Sequence, residues 1–126
     1  MKSILGNTRK ADITFNRSGR INISSRVSKL LGLTSGDVID IVIDEEETYL
    51  YVKHRAPVVG KHEGMVFCSN KNGHHFIASS ITLCRYILSK SSGGDKNKVC
   101  LSCGSPITLS QFGTVIPIIT QNILPC

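Results

Sequence analysis

The sequence predicts a mainly β protein with short helices, of the α+β class. Its 126 residues are 40% hydrophobic but only 6% aromatic, with no Trp, so Ile, Leu and Val have to form most of the core. A core rich in β-branched side chains favours strands over helices. Several segments alternate apolar and polar residues, whereas helical spacing is confined to short stretches.

Four strands are predicted in the first half of the chain. Residues 11–15 and 20–23 alternate on either side of a turn, where Gly19 is free to take a positive φ. Residues 38–43 form a strong strand with three Ile on one face, and residues 49–52 return after a charged loop. The pattern is therefore two strand pairs separated by a short segment.

That short segment predicts a helix of about two turns, since apolar residues recur at i, i+3 and i+4. The stripe consists of Val27, Leu30 and Leu31. Ser24 or Ser25 suits the N-cap because a serine hydroxyl accepts a hydrogen bond from an amide of the first turn. Gly32 suits the position after the last turn. So short a helix has to be stabilised by packing.

The second half gives weaker signals beyond a linker at residues 57–64. It predicts strands at 65–68, 98–103 and 114–120, with a turn at 69–73. Ser79 or Ser80 can cap a helix that runs to about Lys90. Its inward residues are expected to be Ile81, Cys84, Leu88 and Ile87. The sequence shows no internal repeat.

Charge is divided sharply along the chain. Residues 1–36 hold seven Lys or Arg and one Asp (+6), residues 37–47 hold six acids and no base (−6), and the remainder holds eight bases and two acids (+6). A surface polarised in this way can attract a polyanion to one face and repel it from another. The alternative is that these charges are solvated and have no partner.

The start of the chain predicts a cytoplasmic protein. The first twenty residues carry several charges and no apolar run, so we expect no signal peptide. No stretch approaches the ~20 apolar residues of a membrane span. Five cysteines without an export signal are expected to be reduced thiols.

The stretch GRINISSRVSKLLGLTSGDVIDIVID, residues 19–44, contains five features in a defined order. They are Gly19-Arg20, an apolar strand with Ile21 and Ile23, a helix that ends at Leu31-Gly32-Leu33, a Gly36-Asp37 turn, and the alternating strand 38–43. In this order they resemble the AbrB-like (SpoVT/AbrB) swapped-hairpin DNA-binding domains, which include transition-state regulators and many antitoxins. The resemblance covers residues 1 to about 53, including the basic lead-in MKSILGNTRKAD.

The resemblance implies an AbrB-like swapped-hairpin β-barrel in residues 1–55, formed by two chains that exchange hairpins. A homodimer is also physically reasonable, because four short strands and one small helix bury little on their own. Residues 65–126 would then be a small α+β C-terminal region of unknown role, through which a protein partner could bind.

The function implied by the resemblance is duplex DNA binding and transcription regulation through a basic face. Arg20 is the position that the match favours, and Arg9, Lys10, Arg26 and Lys29 are added by proximity and charge. Phosphate contacts by such residues would make the affinity fall steeply with salt. The alternative for Arg20 is a hydrogen bond that holds the turn.

Two other functions stay open. One is a protein–protein interaction or assembly module with the same fold and no DNA binding. The family commonly has two basic residues in the first helical turn, where this chain has Ser28 and Lys29, and this departure favours the module. The other is an antitoxin whose C-terminal region wraps a toxin, although antitoxin tails are usually acidic and this one is basic.

Metal and catalytic signals are weak. Cys100 and Cys103 have the C-x-x-C spacing of half a zinc ribbon, but no second pair exists, and a strand would direct them to opposite faces. Small buried hydrophobic residues are the alternative. His74 and His75 predict a solvated loop. No nucleophile–base spacing, phosphate-binding loop or dinucleotide motif is present, so we expect neither an enzyme nor a cofactor.

Overall fold

The structure is a computed structural model that describes residues 11–60, 64–92 and 97–125. Within these residues the protein is mainly β, with nine strands and two helices, which confirms the predicted class. The elements in chain order are β1 Ile13–Asn16, β2 Arg20–Ile23, α1 Ser25–Leu31, β3 Val38–Asp44, β4 Glu47–His54, β5 Val66–Asn72, β6 His75–Ser79, α2 Ile81–Ser92, β7 Lys98–Cys103, β8 Ile107–Leu109 and β9 Gly113–Leu124.

Eight of the strands close into an antiparallel barrel. Around the barrel they follow the order β4–β3–β5–β6–β2–β1–β7–β9, and β9 pairs with β4 to complete the circle. The remaining strand, β8, pairs with β9 outside the circle. Each half of the chain supplies four barrel strands, so β5, β6, β7 and β9 complete the barrel that β1 to β4 begin.

The pairing pattern relates the two halves by a pseudo-twofold axis. β1-β2-α1-β3-β4 and β5-β6-α2-β7-β9 are both ββαββ units. β2 pairs with its counterpart β6, and β4 pairs with its counterpart β9. The axis also relates the β1–β7 pair to the β5–β3 pair, since β1 corresponds to β5 and β7 to β3. The axis passes between β2 and β6 on one wall and between β4 and β9 on the opposite wall. The two halves therefore repeat the same topology, although the sequence shows no repeat.

A second chain is not required to close this core. The expectation of a dimer rested on the resemblance and on how little the first unit can bury alone, and here the second unit covers the first. Ile13, Phe15, Ile21 and Ile23 from the first hairpin are each no more than 1% exposed. They pack in one cluster with Leu101 and other residues of the second unit. The homodimer itself stays a prediction.

The caps of the short helix α1 are as predicted. The hydroxyl of Ser24 accepts a hydrogen bond from the Val27 amide at 3.3 Å, and Gly32 has a left-handed φ of 62°. Val27 and Leu31 are buried, but Leu30 is 39% exposed and does not belong to the inward stripe. A residue on the flank of a two-turn helix has too little barrel surface beneath it to be covered.

Helix α2 begins after its cap Ser80, whose hydroxyl accepts from the Leu83 amide at 3.1 Å. Cys84, Ile87 and Leu88 are buried as expected. The prediction that Ile81 points inward is wrong, because this first helical residue is 53% exposed. Since β2 and β6 are antiparallel, the helices that follow them leave the barrel at opposite ends.

Other differences lie in the second unit. β5 continues through the predicted turn at residues 69–73 as far as Asn72. β6 and β8 have no predicted counterpart, and β9 extends beyond the predicted strand 114–120 at both ends. The expectation of reduced cysteines is wrong for Cys100, which is disulfide-bonded.

Candidate nucleic-acid interface

One wall of the barrel, centred on β2 and β6, has an outer surface of polar and basic side chains. Along β1 and β2 the apolar residues point into the barrel, and the alternate residues point outward. Along β6, Phe76 and Ala78 point inward, so Ile77 lies on the outer surface between His75 and Ser79. We call this surface the polar face. Its polar and basic residues are Thr14, Asn16, Arg20, Asn22, Ser69, Lys71, His75, Ser79 and Lys98, and they surround Ile77, which lies opposite Asn22 and Ser69.

The strand register places basic residues of this face close together. Asn16 lies opposite Lys98 across β1 and β7. The Asn16 side-chain amide donates a hydrogen bond to the Arg20 carbonyl at 3.0 Å, and Arg20 lies opposite Ser79 on β6. Arg20 and Lys98 are thus on strands separated only by β1, about 10 Å apart at an interstrand spacing of ~4.8 Å.

We define the first tip as the turn at residues 16–20, and α2 supports it from below. Gly19 has a φ of 105°, and a Cβ atom there would lie 2.9 Å from the Ile81 side chain. The Ser80 amide donates to the Gly19 carbonyl at 2.8 Å. Burial raises the pKa of Cys84 and keeps its thiol protonated, so that it donates to the Arg20 carbonyl at 3.7 Å. The backbone that bears Arg20 is therefore held in place.

We define the second tip as the turn at residues 70–75, at the other end of β2 and β6. The Asn70 side-chain amide donates to the Gly73 carbonyl at 2.6 Å and to the His75 carbonyl at 3.5 Å. An open groove of about 360 Å³ lies beside this tip. Its polar lining residues are Thr14, Asn22, Ser24, Lys71, Asn72 and His75.

The charges are segregated between opposite walls of the barrel. The strands of the polar face, β1, β2, β5, β6 and β7, contain Arg20, Lys71 and Lys98 and no Asp or Glu. The opposite wall contains β4, and the β3–β4 hairpin carries five acids, at Asp40 and at residues 44–47. An approaching polyanion would thus be attracted to the polar face and repelled by the acidic hairpin.

Of the three predicted DNA-binding residues that the structure describes, Arg20, Arg26 and Lys29, only Arg20 lies on the polar face. It is exposed, and its Nε donates to the Asn22 side-chain oxygen at 3.3 Å. The alternative role, in which the Arg20 side chain holds the turn, is filled by Asn16 through the hydrogen bond described above. Both Arg20 and Asn22 thus present hydrogen-bonding groups on the outer surface.

The other predicted residues are placed differently. Arg26 makes an ion pair of 3.2 Å with the buried carboxylate of Asp12 and also donates to the Cys103 carbonyl at 3.4 Å. It therefore connects α1 to the barrel. Lys29 is exposed in the last turn of α1. Arg9 and Lys10 lie outside the described residues.

Lys71, His75 and Lys98 are polar-face residues that sequence reasoning did not select. Lys98 opens a predicted strand, but only the pairing of β1 with β7 brings it near Arg20. Lys71 and His75 flank a turn that belongs to an unpredicted hairpin. Residues 75–79 do not alternate cleanly, since the outward position 77 is Ile, so no clear pattern indicated β6.

The candidate zinc ligands are not assembled into a site. Cys100 is disulfide-bonded, while Cys103 is buried in the core cluster on the other face of β7. Among the described residues no three His, Cys, Asp or Glu side chains are grouped as a metal site would require. In the same part of the chain, neither helix has the length and apolar character needed to cross a membrane.

Comparisons of the chain with protein-family models, with curated proteins and with solved structures found no match. The resemblance to AbrB-like domains therefore depends on the residues quoted for it. The function has to be argued from the polar face itself.

Proposed function

We propose that the protein binds duplex DNA and regulates transcription, with the polar face as its DNA-binding surface. The observation that carries this proposal is the segregation of charge, with bases and no acids on the strands of one wall and an acidic hairpin at the other. Arg and Lys bind phosphates, while Asn, Ser and Thr donate to phosphates and to base edges. The polar face combines both kinds of group on a rigid sheet.

A salt series tests the proposal directly. Binding of the full chain to a mixed-sequence DNA duplex is followed by fluorescence anisotropy from ~50 to ~200 mM salt. We expect log K to fall linearly with log salt. Lys98→Ala should make the slope shallower by about 0.9, because it removes about one phosphate contact.

Lys53→Ala is the matched control. Lys53 has the same charge but lies on β4, in the opposite wall, 3.9 Å from Asp40. Its replacement should leave the salt slope unchanged. Absence of binding at low salt contradicts DNA binding, and an equal effect of Lys53→Ala and Lys98→Ala contradicts the choice of surface.

The protein–protein module remains the second candidate. The structural use of Arg26 favours it, since the ion pair with Asp12 removes one of the cations that the DNA hypothesis counted. Such a module would retain its fold and give no salt-dependent anisotropy signal with DNA.

A further inference from the structure

We propose that a single chain binds duplex DNA one to one and recognises a site without dyad symmetry. The two hairpin tips of the polar face contact the DNA with different side chains and are not equivalent. This inference rests on the proposed function, because it concerns how the same surface engages DNA.

The closed barrel is the first argument. A twofold-symmetric dimer presents the same residues twice, and its DNA sites are correspondingly palindromic. Here one chain supplies both ββαββ units, and β9 pairs with β4 to close the barrel without a second copy. The two tips therefore belong to one chain and carry different side chains.

The two tips correspond in structure. In each, an Asn side-chain amide closes the turn by donating to a carbonyl of the returning strand, from Asn16 to Arg20 in the first tip and from Asn70 to His75 in the second. Arg20 and His75 each open their strands, β2 and β6. They occupy equivalent positions about the pseudo-twofold axis.

The chemistry of the two tips differs. Arg20 offers a planar fork of N–H donors, which can bind a guanine edge in two places. The second tip has Lys71, whose ammonium acts as a point charge on phosphate. One tip is therefore suited to read a base and the other to hold the backbone.

The tips are spaced to contact one duplex. Ile23 pairs with Phe76, so His75 lies opposite the residue after Ile23, four positions along β2 from Arg20. At ~3.3 Å per residue along the strand and ~4.8 Å across it, Arg20 and His75 are about 14 Å apart. The major groove is ~12 Å wide, so when the first tip lies over the groove the second tip lies near the phosphates at its edge.

The experiment has two parts. Sedimentation of the full chain, alone and with a DNA duplex, gives the stoichiometry, which we expect to be one chain per duplex. Selection from a library of random-sequence duplexes gives the preferred site, which we expect to lack dyad symmetry. Thermal melting verifies that every variant is folded.

Two substitutions separate the tips. Arg20→Lys keeps the charge and removes the fork, so it should weaken discrimination at bases on one side of the site by about tenfold and leave the salt slope unchanged. Lys71→Ala should make the slope shallower by about 0.9 and leave the selected bases unchanged. Lys53→Ala again serves as the control.

The outcomes distinguish the two proposals. A palindromic site bound by two chains overturns this inference while DNA binding stands. A change in the selected bases on both sides with Arg20→Lys also overturns it. If the wild-type chain retains no duplex at low salt, the proposed function fails and this inference fails with it.

Discussion

Replacing Asp37 with Ala is expected to destabilise the protein by about 3 kcal/mol. Asp37 is completely buried, and its carboxylate accepts hydrogen bonds from the Ala56 amide at 2.7 Å, the Thr34 amide at 2.9 Å and the Thr34 hydroxyl at 3.0 Å. The Arg55 guanidinium lies 3.2 Å away and also donates to the carbonyls at the end of α1. This one side chain therefore ties α1 to the segment that follows β4.

The magnitude follows from these contacts. Hydrogen bonds to a charged group contribute ~1.5–3 kcal/mol each, and an amide left without a partner costs ~1–3 kcal/mol. Water can replace part of the lost hydrogen bonding. The Arg55 side chain is 57% exposed, so its ion pair with Asp37 adds little. About 3 kcal/mol corresponds to a fall in Tm of roughly 10 °C for a chain of this size. Urea and thermal denaturation measure both values.

The same contacts predict a pH dependence. Burial would raise the pKa of Asp37, but the hydrogen bonds from Ala56 and Thr34 and the charge of Arg55 together lower it below its ordinary value of 3.8. A carboxyl with a lowered pKa stabilises the fold above its unfolded pKa and loses this contribution as the pH falls through the folded pKa. The stability difference between wild type and Asp37→Asn should therefore be full near neutral pH and shrink below about pH 4.

Asp44→Ala is the matched control, since Asp44 is exposed at the end of β3. An exposed substitution of this kind should change the free energy of unfolding by no more than ~0.5 kcal/mol. The reasoning is refuted if Asp37→Ala costs no more than this control. It is also refuted if the Asp37→Asn difference stays constant down to about pH 3.

Three further predictions concern other positions. Gly19→Ala should cost ~1–2 kcal/mol more in urea denaturation than Gly73→Ala, because both glycines have positive φ but only Gly19 has a close neighbour. Arg26→Ala should lower the free energy of unfolding by ~0.5–1 kcal/mol through its ion pair with Asp12, because the Arg26 side chain is 45% exposed. It should leave the salt slope of DNA binding unchanged. Burial raises the pKa of Cys68 to about 11, so iodoacetamide should label it at neutral pH only after urea is added, as detected by mass spectrometry. Equal stability of the two glycine variants would contradict the first expectation. A shallower salt slope for Arg26→Ala would contradict the second, and labelling of Cys68 in the folded chain would contradict the third.

Helix α1 shows which parts of the fold the sequence predicts well. Its boundaries depend on a serine hydroxyl that accepts an amide hydrogen bond and on a glycine that takes a left-handed φ, and both are interactions with residues a few positions away. The strand Arg20–Ile23 is likewise predicted at its observed bounds, because alternation is a local pattern. Local physical chemistry suffices for such elements.

β6 shows where local reasoning fails. It is only five residues long and contains Ala78 and His75, which have little strand preference. It pairs with β5 across the turn at residues 70–75, but its place in the barrel depends on pairing with β2, whose residues are more than fifty positions earlier in the chain. Closure of the barrel by β9 and β4 is similarly non-local. Neither pairing leaves a pattern in the residues themselves.

The candidate site is partly predictable for the same reason. Arg20 could be selected because it follows a turn glycine in a resembling motif. Lys98 could not, because its proximity to Arg20 arises only from the pairing of β7 with β1. Arg26 was selected by charge alone, and charge does not reveal that Asp12 lies within reach. Grouping of cations along the sequence is therefore a poor guide to grouping on the surface.

Placing both units in one chain has a consequence for how the surface can vary. In a symmetric dimer every substitution occurs twice, so both tips change together. In this chain Arg20 and His75 hold corresponding positions yet have different chemistry, and the helices behind them differ in length, seven residues in α1 and twelve in α2. Each tip is supported by its own contacts, with α2 beneath the first and Asn70 closing the second. The barrel can therefore keep one tip fixed while the other changes, and this independence is what a non-palindromic site requires.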